Sequence, residues 1–251
     1  MNVIASRPGS YREHRHLAFE YLPKAGIDNV EIPPPQPGEI NEMMAKLKEH
    51  GLTATSLIAR VNLGVQEEVD TLLQTMDTAR KMDVGIIFCS TRSGGLRGNQ
   101  PYEKLVELGD IAGKHHAVIS METHPDLCQN GDQMLATMTA VDHPNVRLNL
   151  DPANLHYYNR GLDAIAELER VKDYVASIHL KDTEGGFKEG HFPIIGRGIV
   201  DFPRLFEILN GRGFHGPFTL EIEGISGLSI EDTHQRVVDS VQYLRDIGVM
   251  G

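Results

Sequence analysis

Four residues carry the clearest chemical potential in this chain: Glu122, Asp151, His179 and Glu221. Each closes a short apolar run. Ala117 to Met121 leads to Glu122, Val146 to Leu150 to Asp151, Val175 to Ile178 to His179, and Pro217 to Leu220 to Glu221. Three carboxylates and one imidazole converging on an axis form a hard-to-borderline ligand set. Such a set suits a divalent metal ion, Mn²⁺ foremost, with Mg²⁺, Co²⁺, Ni²⁺ or Zn²⁺ as alternatives, and leaves positions open for substrate oxygens. Without a cation the three carboxylates would repel one another. Any one of these residues alone reads as a hydrogen-bonded strand end; recurrence in four successive units points to a site.

The elements that must position them alternate. Runs rich in apolar and β-branched residues alternate with segments of helical period, eight times over. The strands are expected at 2–6, 29–32, 53–61, 85–90, 117–121, 146–150, 175–180 and 217–222. The helices are expected at 16–24, 39–50, 67–82, 102–115, 133–142, 162–171, 202–210 and 230–247. Gly26, Gly51 and Gly213 each follow a helical run, where glycine accepts the left-handed conformation that ends a helix. Strands alternating with helices imply a parallel sheet, and 251 residues suit one closed (β/α)₈ TIM barrel spanning 1–251. No GxGxxG opens the first unit, which argues against an open dinucleotide fold. In a barrel the reactive groups sit at the carboxyl ends of the strands, where these four residues fall.

Other residues near those ends are candidates for substrate binding. Lys181 shares the inward face with His179 and suits a substrate oxyanion; an ion pair with Asp182 or Glu223 is its structural alternative. His124 and Asn154 follow Glu122 and Asp151 and suit sugar hydroxyls or loop support. His156 and His191 lie in the loops after strands six and seven, as general bases or solvated histidines. Arg7, Arg60 and Arg92 end strands one, three and four and suit a substrate anion or surface ion pairs. Glu31 reads as a supporting or barrel-bottom residue, and Tyr157-Tyr158 as a pocket wall or core. Strand alternation puts Glu223 on the face of Glu221, so it competes for the same role.

The segments Glu122-Thr123-His124, Asp151-Pro152-Ala153-Asn154, His179-Leu180-Lys181-Asp182, Gly196-Arg197-Gly198-Ile199-Val200-Asp201-Phe202 and Gly216-Pro217-Phe218-Thr219-Leu220-Glu221 resemble the xylose isomerase-like barrel superfamily. That group comprises sugar isomerases, epimerases and inosose dehydratases, also labelled AP endonuclease family 2. The resemblance spans essentially the whole chain and is sharp from Val118 onward. It implies that Glu122, Asp151, His179 and Glu221 bind the metal. It further implies that Glu122 and Glu221 face opposite sides of the substrate carbon and shuttle its proton. Two features depart from the ketose epimerases: Asn154 stands where their DxxH pattern has His, and Gly185 where they carry Arg. The chain also has no Trp to line a sugar pocket.

The expected activity is a metal-dependent isomerisation or epimerisation of a small sugar or keto-polyol. A lyase on the same site, an inosose-type dehydratase or a C-glycoside-cleaving enzyme, is the alternative. A net charge of −11 disfavours nucleic acid and anionic membranes, and argues against the endonuclease branch, as does Asn154. A non-catalytic binding subunit has no need of a metal centre. Cys89 and Cys128 are far apart and read as reduced thiols. No stretch approaches 18 apolar residues and no basic-then-apolar segment opens the chain, so a cytoplasmic protein is expected. Homo-oligomerisation, or a hetero-oligomer, is implied by the resemblance alone.

Overall fold

The computed structural model describes residues 1–223 and 226–251. Eight parallel strands close into a barrel in sequence order, β1 (Ile4–Ser6), β2 (Asn29–Ile32), β3 (Thr53–Asn62), β4 (Ile86–Arg92), β5 (Val118–Glu122), β6 (Val146–Leu150), β7 (Val175–Leu180) and β8 (Phe218–Leu220). β8 pairs with both β7 and β1, which completes the ring and leaves no free sheet edge. The helices around it are α1 (Ala18–Ala25), α2 (Ile40–Glu49), α3 (Gln66–Met82), α4 (Gln100–Lys114), α5 (Gly131–Val141), α6 (Pro152–Tyr158), α7 (Ala164–Val171), α8 (Phe202–Gly211) and α9 (Ile230–Asp246).

Strand alternation sorts the side chains into two layers. Ile119 and Met121, Leu148 and Leu150, Ile178 and Leu180, and Phe218 and Leu220 are all buried, and they pack with the helices. Alternate positions carry Ser120, Asn149, Ser177 and Thr219, a polar layer inside the barrel. Its members bond one another: Ser120 Oγ lies 2.7 Å from Ser177 Oγ, and Asn149 Nδ2 donates to Ser177 Oγ at 2.8 Å. The next inward positions toward the carboxyl ends are Glu122, Asp151, His179 and Glu221. Burying both faces of the sheet is what makes the strands read as short, mostly apolar runs.

The helices begin and end where their chemistry directs. At α9, Ser229 accepts from Asp232 N–H as N-cap, and Glu231 and Asp232 lie in the first turn. Val237, Val241 and Leu244, at helical spacing, are buried. At α1, Gly26 adopts φ 86° and its N–H closes on the Leu22 and Pro23 carbonyls.

Three expectations need correction. The first helix is not 16–24: a 3₁₀ segment at Pro8–Leu17 precedes α1, because Pro8 restricts the start and Arg12 takes φ 52°. The eighth strand ends at Leu220 rather than residue 222, although Glu221 N–H still donates to Leu180 O at 3.0 Å. The helix α6 was absent from the expected elements. Its signal is the Asp151-Pro152 pair, a capping carboxylate followed by proline at the first helical position. Among the described residues, no helix is long and apolar enough to cross a membrane.

Candidate metal centre

Glu122, Asp151 and His179 each offer a ligand atom, and these atoms all lie within 4.8 Å of one another. They come from the ends of β5, β6 and β7, three neighbouring strands. Asp151 and His179 are buried and Glu122 is half-buried. Glu221, just past β8, joins them from the side: its Oε2 stands 2.9 Å from His179 Nδ1.

That short contact is not an aligned hydrogen bond. His179 Nδ1, Glu221 Oε2 and Asp151 Oδ2 are all buried without a hydrogen-bond partner. Each such atom costs roughly 1–3 kcal/mol when left unsatisfied. Three of them, all of ligand type and gathered at one point, fit a divalent cation: one ion would satisfy the three together.

The surrounding bonds orient the ring. His179 Nε2 lies 3.0 Å from Glu31 Oε1, so Nε2 keeps its proton and a bound cation would displace only the one on Nδ1. Glu31 is fully buried in β2, at a shift of register between β2 and β3. It also accepts from Ser56 Oγ at 2.7 Å and from Arg7 Nε at 2.5 Å. Arg7 Nη1 donates in turn to Glu221 Oε1. The guanidinium carbon lies 4.4 Å from the Phe88 ring centroid, and that ring packs against His179 at 4.3 Å with a 32° tilt. Arg7 thus locks two carboxylates and one aromatic floor around the histidine.

Charges follow from this packing. Burial alone would raise the Glu31 carboxyl, but Arg7 and His179 outweigh it and hold it at about 2. Burial pushes Asp151 up to about 7; Glu221 adds to the rise, against the opposing pull of Lys181 and His179. Burial and Arg7 pull His179 down, yet Glu31 and Glu221 more than offset them and leave it at about 9. Glu221 is held far below the usual carboxylate range, because Arg7 and His179 overcome its burial. Among the protein groups alone, the cluster retains protons that a cation would displace.

Residues 19–247 match the family described as the xylose isomerase-like TIM barrel. The chain belongs to this family. Its match to the L-ribulose-5-phosphate 3-epimerase UlaE of Salmonella paratyphi A is 31% identical over 120 residues, 47% of this chain and 40% of that relative. The chain therefore spans less than half the length of the curated relatives it matches. The D-psicose 3-epimerase of Clostridium cellulolyticum H10, solved with D-tagatose, superposes with TM-score 0.79 at 14% identity, over 100% of both chains. A xylose isomerase-like TIM barrel protein of Mycobacterium smegmatis, solved in complex with magnesium, gives 0.75 at 18% identity, over 98% of this chain and 97% of that one.

In this xylose isomerase-like barrel the other candidate residues part ways. Asn154 is drawn to the centre: its Nδ2 donates to Glu122 Oε1 at 3.2 Å, while its N–H caps onto Asp151 Oδ1 at 3.0 Å. Lys181 is buried beside it, with Nζ 3.1 Å from Glu223, 3.4 Å from Asn154 Oδ1 and 4.2 Å from the Phe192 ring. Burial would lower the Lys181 ammonium, but Asp151, Glu221 and Glu223 raise it well above its ordinary value, so it stays charged. Glu223 therefore pairs with Lys181 rather than replacing Glu221, and its side chain is 40% exposed.

Arg7 is engaged by Glu31 and Glu221, so it frames the cluster rather than waiting for an anion. His124 lies beside Arg92 and packs edge-on against Tyr158 at 5.0 Å. His156 lines a separate hollow with Leu162, Ile165 and Ile199. His191 is exposed and 3.2 Å from Glu184. Arg60 is exposed, in a hollow with Pro34 and Thr71. Asp182 does not pair with Lys181; it accepts from the N–H groups of Thr183, Gly196, Gly198 and Val200, and so ties down the loop before α8.

Sequence reasoning did not foresee the strength of the Glu31–Arg7 couple. A charged residue inside an apolar strand, as in Asn29-Val30-Glu31-Ile32, is the signal that could have shown it.

Proposed function

We propose that this chain is a divalent-metal-dependent isomerase or epimerase of a small sugar or keto-polyol, acting by proton transfer next to a carbonyl. One observation carries the reading: the unpartnered ligand atoms of Asp151, His179 and Glu221, grouped with Glu122 at the carboxyl ends of neighbouring strands. The similarity to an L-ribulose-5-phosphate 3-epimerase supports the substrate class. Manganese is the metal we favour for this oxygen-rich set with one nitrogen.

A cation held by Glu122, Asp151, His179 and Glu221 would supply Lewis-acid stabilisation of the charge that develops on an enediolate. The chain's own residues do the rest. Glu122, half-buried, takes the proton from the carbon next to the carbonyl, and Asn154 holds one of its oxygens for that task. Glu221 serves the opposite face; ionised beside Arg7 and His179, it returns a proton there only after taking one up from solvent, to which Glu122 in turn gives up the proton it removed. Lys181, buried and charged, steadies negative charge on a substrate oxygen. Arg7 and Glu31 keep Glu221 and His179 in register throughout.

Elemental analysis of the purified protein, then a keto-sugar panel in D₂O, tests the reading. About one equivalent of divalent metal and deuterium on the carbon next to the product carbonyl are expected. A metal-free preparation that exchanges no deuterium into any keto-sugar, even after manganese is added, would overturn it. Product mass separates the lyase alternative, because isomerisation conserves mass and dehydration loses water.

A further inference from the structure

Beyond the carboxyl end of β5 there is a cleft of about 560 Å³, lined by Arg92, the Gly94-Gly95 turn, His124, Tyr158 and Lys188 among others. Its size is that of a small-molecule pocket. Its electrostatics are unusual for a chain of net charge −11. Neither Arg92 nor Lys188 forms an ion pair among the described residues.

What holds Arg92 is a neutral ring. His124 Nδ1 lies 2.7 Å from the Pro125 carbonyl, so Nδ1 carries the proton and Nε2 is left to accept. Arg92 Nη2 donates to that Nε2 at 3.2 Å, which fixes the guanidinium; Asp126 and Glu68 feel its charge but form no ion pair with it. The cleft also has a carboxylate in its wall, Asp126. Both of its oxygens are taken by Ser93, one by the N–H at 3.0 Å and the other by the hydroxyl. Gly94 and Gly95 have φ of 64° and 88°. Their N–H groups make no hydrogen bond among the described residues. Consecutive free amides in a turn form a concavity that suits anions. Arginine beside such amides can grip phosphate or carboxylate oxygens in a forked, charge-assisted geometry.

The cleft adjoins the metal cluster through His124, two residues from Glu122. Two residues of chain reach at most about 7 Å, the scale of a small sugar. We propose that this cleft binds an anionic end of the substrate, a phosphate or a carboxylate carried one sugar length from the reacting carbonyl, through Arg92, Lys188 and the Gly94-Gly95 amides. The proposal rests on the isomerase reading above for the identity of the other end of the substrate.

The test separates the two. Inorganic phosphate and acetate are titrated calorimetrically into chelator-treated wild type, into Arg92→Met, and into Arg92→Met with Lys188→Met. Both side chains are exposed, so the variants should fold, which unchanged thermal melting will verify. Saturable phosphate binding is expected in wild type, weakened about tenfold by the first change and further by the second. Tighter binding of phosphate than of acetate assigns a sugar phosphate; the reverse order assigns a sugar acid. If both anions bind wild type and the double variant alike, or bind neither, the subsite is wrong. A protein that binds phosphate in this way but exchanges no deuterium into any keto-sugar would sink the isomerase reading alone.

Discussion

At the scale of single residues, one side chain acts through His179 and another does two jobs. Glu31 fixes the tautomer of His179, and such supporting carboxylates are commonly worth 10–100-fold in metal affinity. Glu31→Gln should therefore weaken manganese binding by about 10–100-fold in a competition titration, while Glu31→Ala also takes the acceptor from Arg7 Nε and Ser56 Oγ and should cost further stability. Unchanged affinity in Glu31→Gln would show that the ring needs no such hold. Asp151 is both a cluster member and the N-cap of α6. Asparagine caps a helix about as well as aspartate, and its neutral amide removes a buried charge. Asp151→Asn should thus keep the metal-free protein within about 1 kcal/mol of wild type by urea unfolding, yet abolish metal retention. A large loss of stability would mean that the cap is not what the carboxylate contributes.

At the scale of elements, the loop between β7 and α8 is organised by one carboxylate. Asp182 gathers four backbone N–H groups, and Gly198 is where the chain passes closest to it. A Cβ on Gly198 would lie 2.2 Å from both Asp182 Oδ1 and the Thr183 carbonyl, closer than atoms can approach. Gly198→Ala should destabilise by about 1–3 kcal/mol, as should Asp182→Ala, which strands buried amides. Because both changes damage the same set of bonds, the double variant should cost less than the two singles together. Strict additivity in denaturant unfolding would separate the two residues. The motif around Gly196 and Gly198 is thus a requirement of close approach, and its contribution to any active site is to hold the loop in place.

At the scale of the whole molecule, closure of the barrel forces acidic groups together. Strands β5 to β8 each direct their last inward residue toward one axis, so like charges meet that would otherwise stay apart. A cation that binds only this folded arrangement must stabilise it. At a hundredfold excess over its dissociation constant the gain is about 2.7 kcal/mol. For a chain of this size that is about 5–10 °C in melting temperature. Manganese should therefore raise the melting temperature of chelator-treated protein by that amount, and His179→Ala should abolish the shift. An equal shift in that variant would place the metal elsewhere.

Much of this was legible in the residue order. Alternating strand and helical periods specify a parallel sheet covered by helices, and eight such units in 251 residues with no GxGxxG turn select the closed (β/α)₈ barrel over an open sheet. The same periodicity puts Glu122, Asp151 and His179 at strand ends, because a period of two leaves them facing inward whatever the neighbours are. Tertiary structure alone decided what those residues touch. Arg7 and Glu31 lie 24 positions apart, and Glu221 lies more than 200 beyond Arg7; ring closure makes them neighbours. The same closure separated His156 and Arg60 from the cluster and brought Asn154 and Lys181 beside it. Such pairings depend on where loops return over the barrel mouth, and no local pattern of hydrophobicity encodes that path.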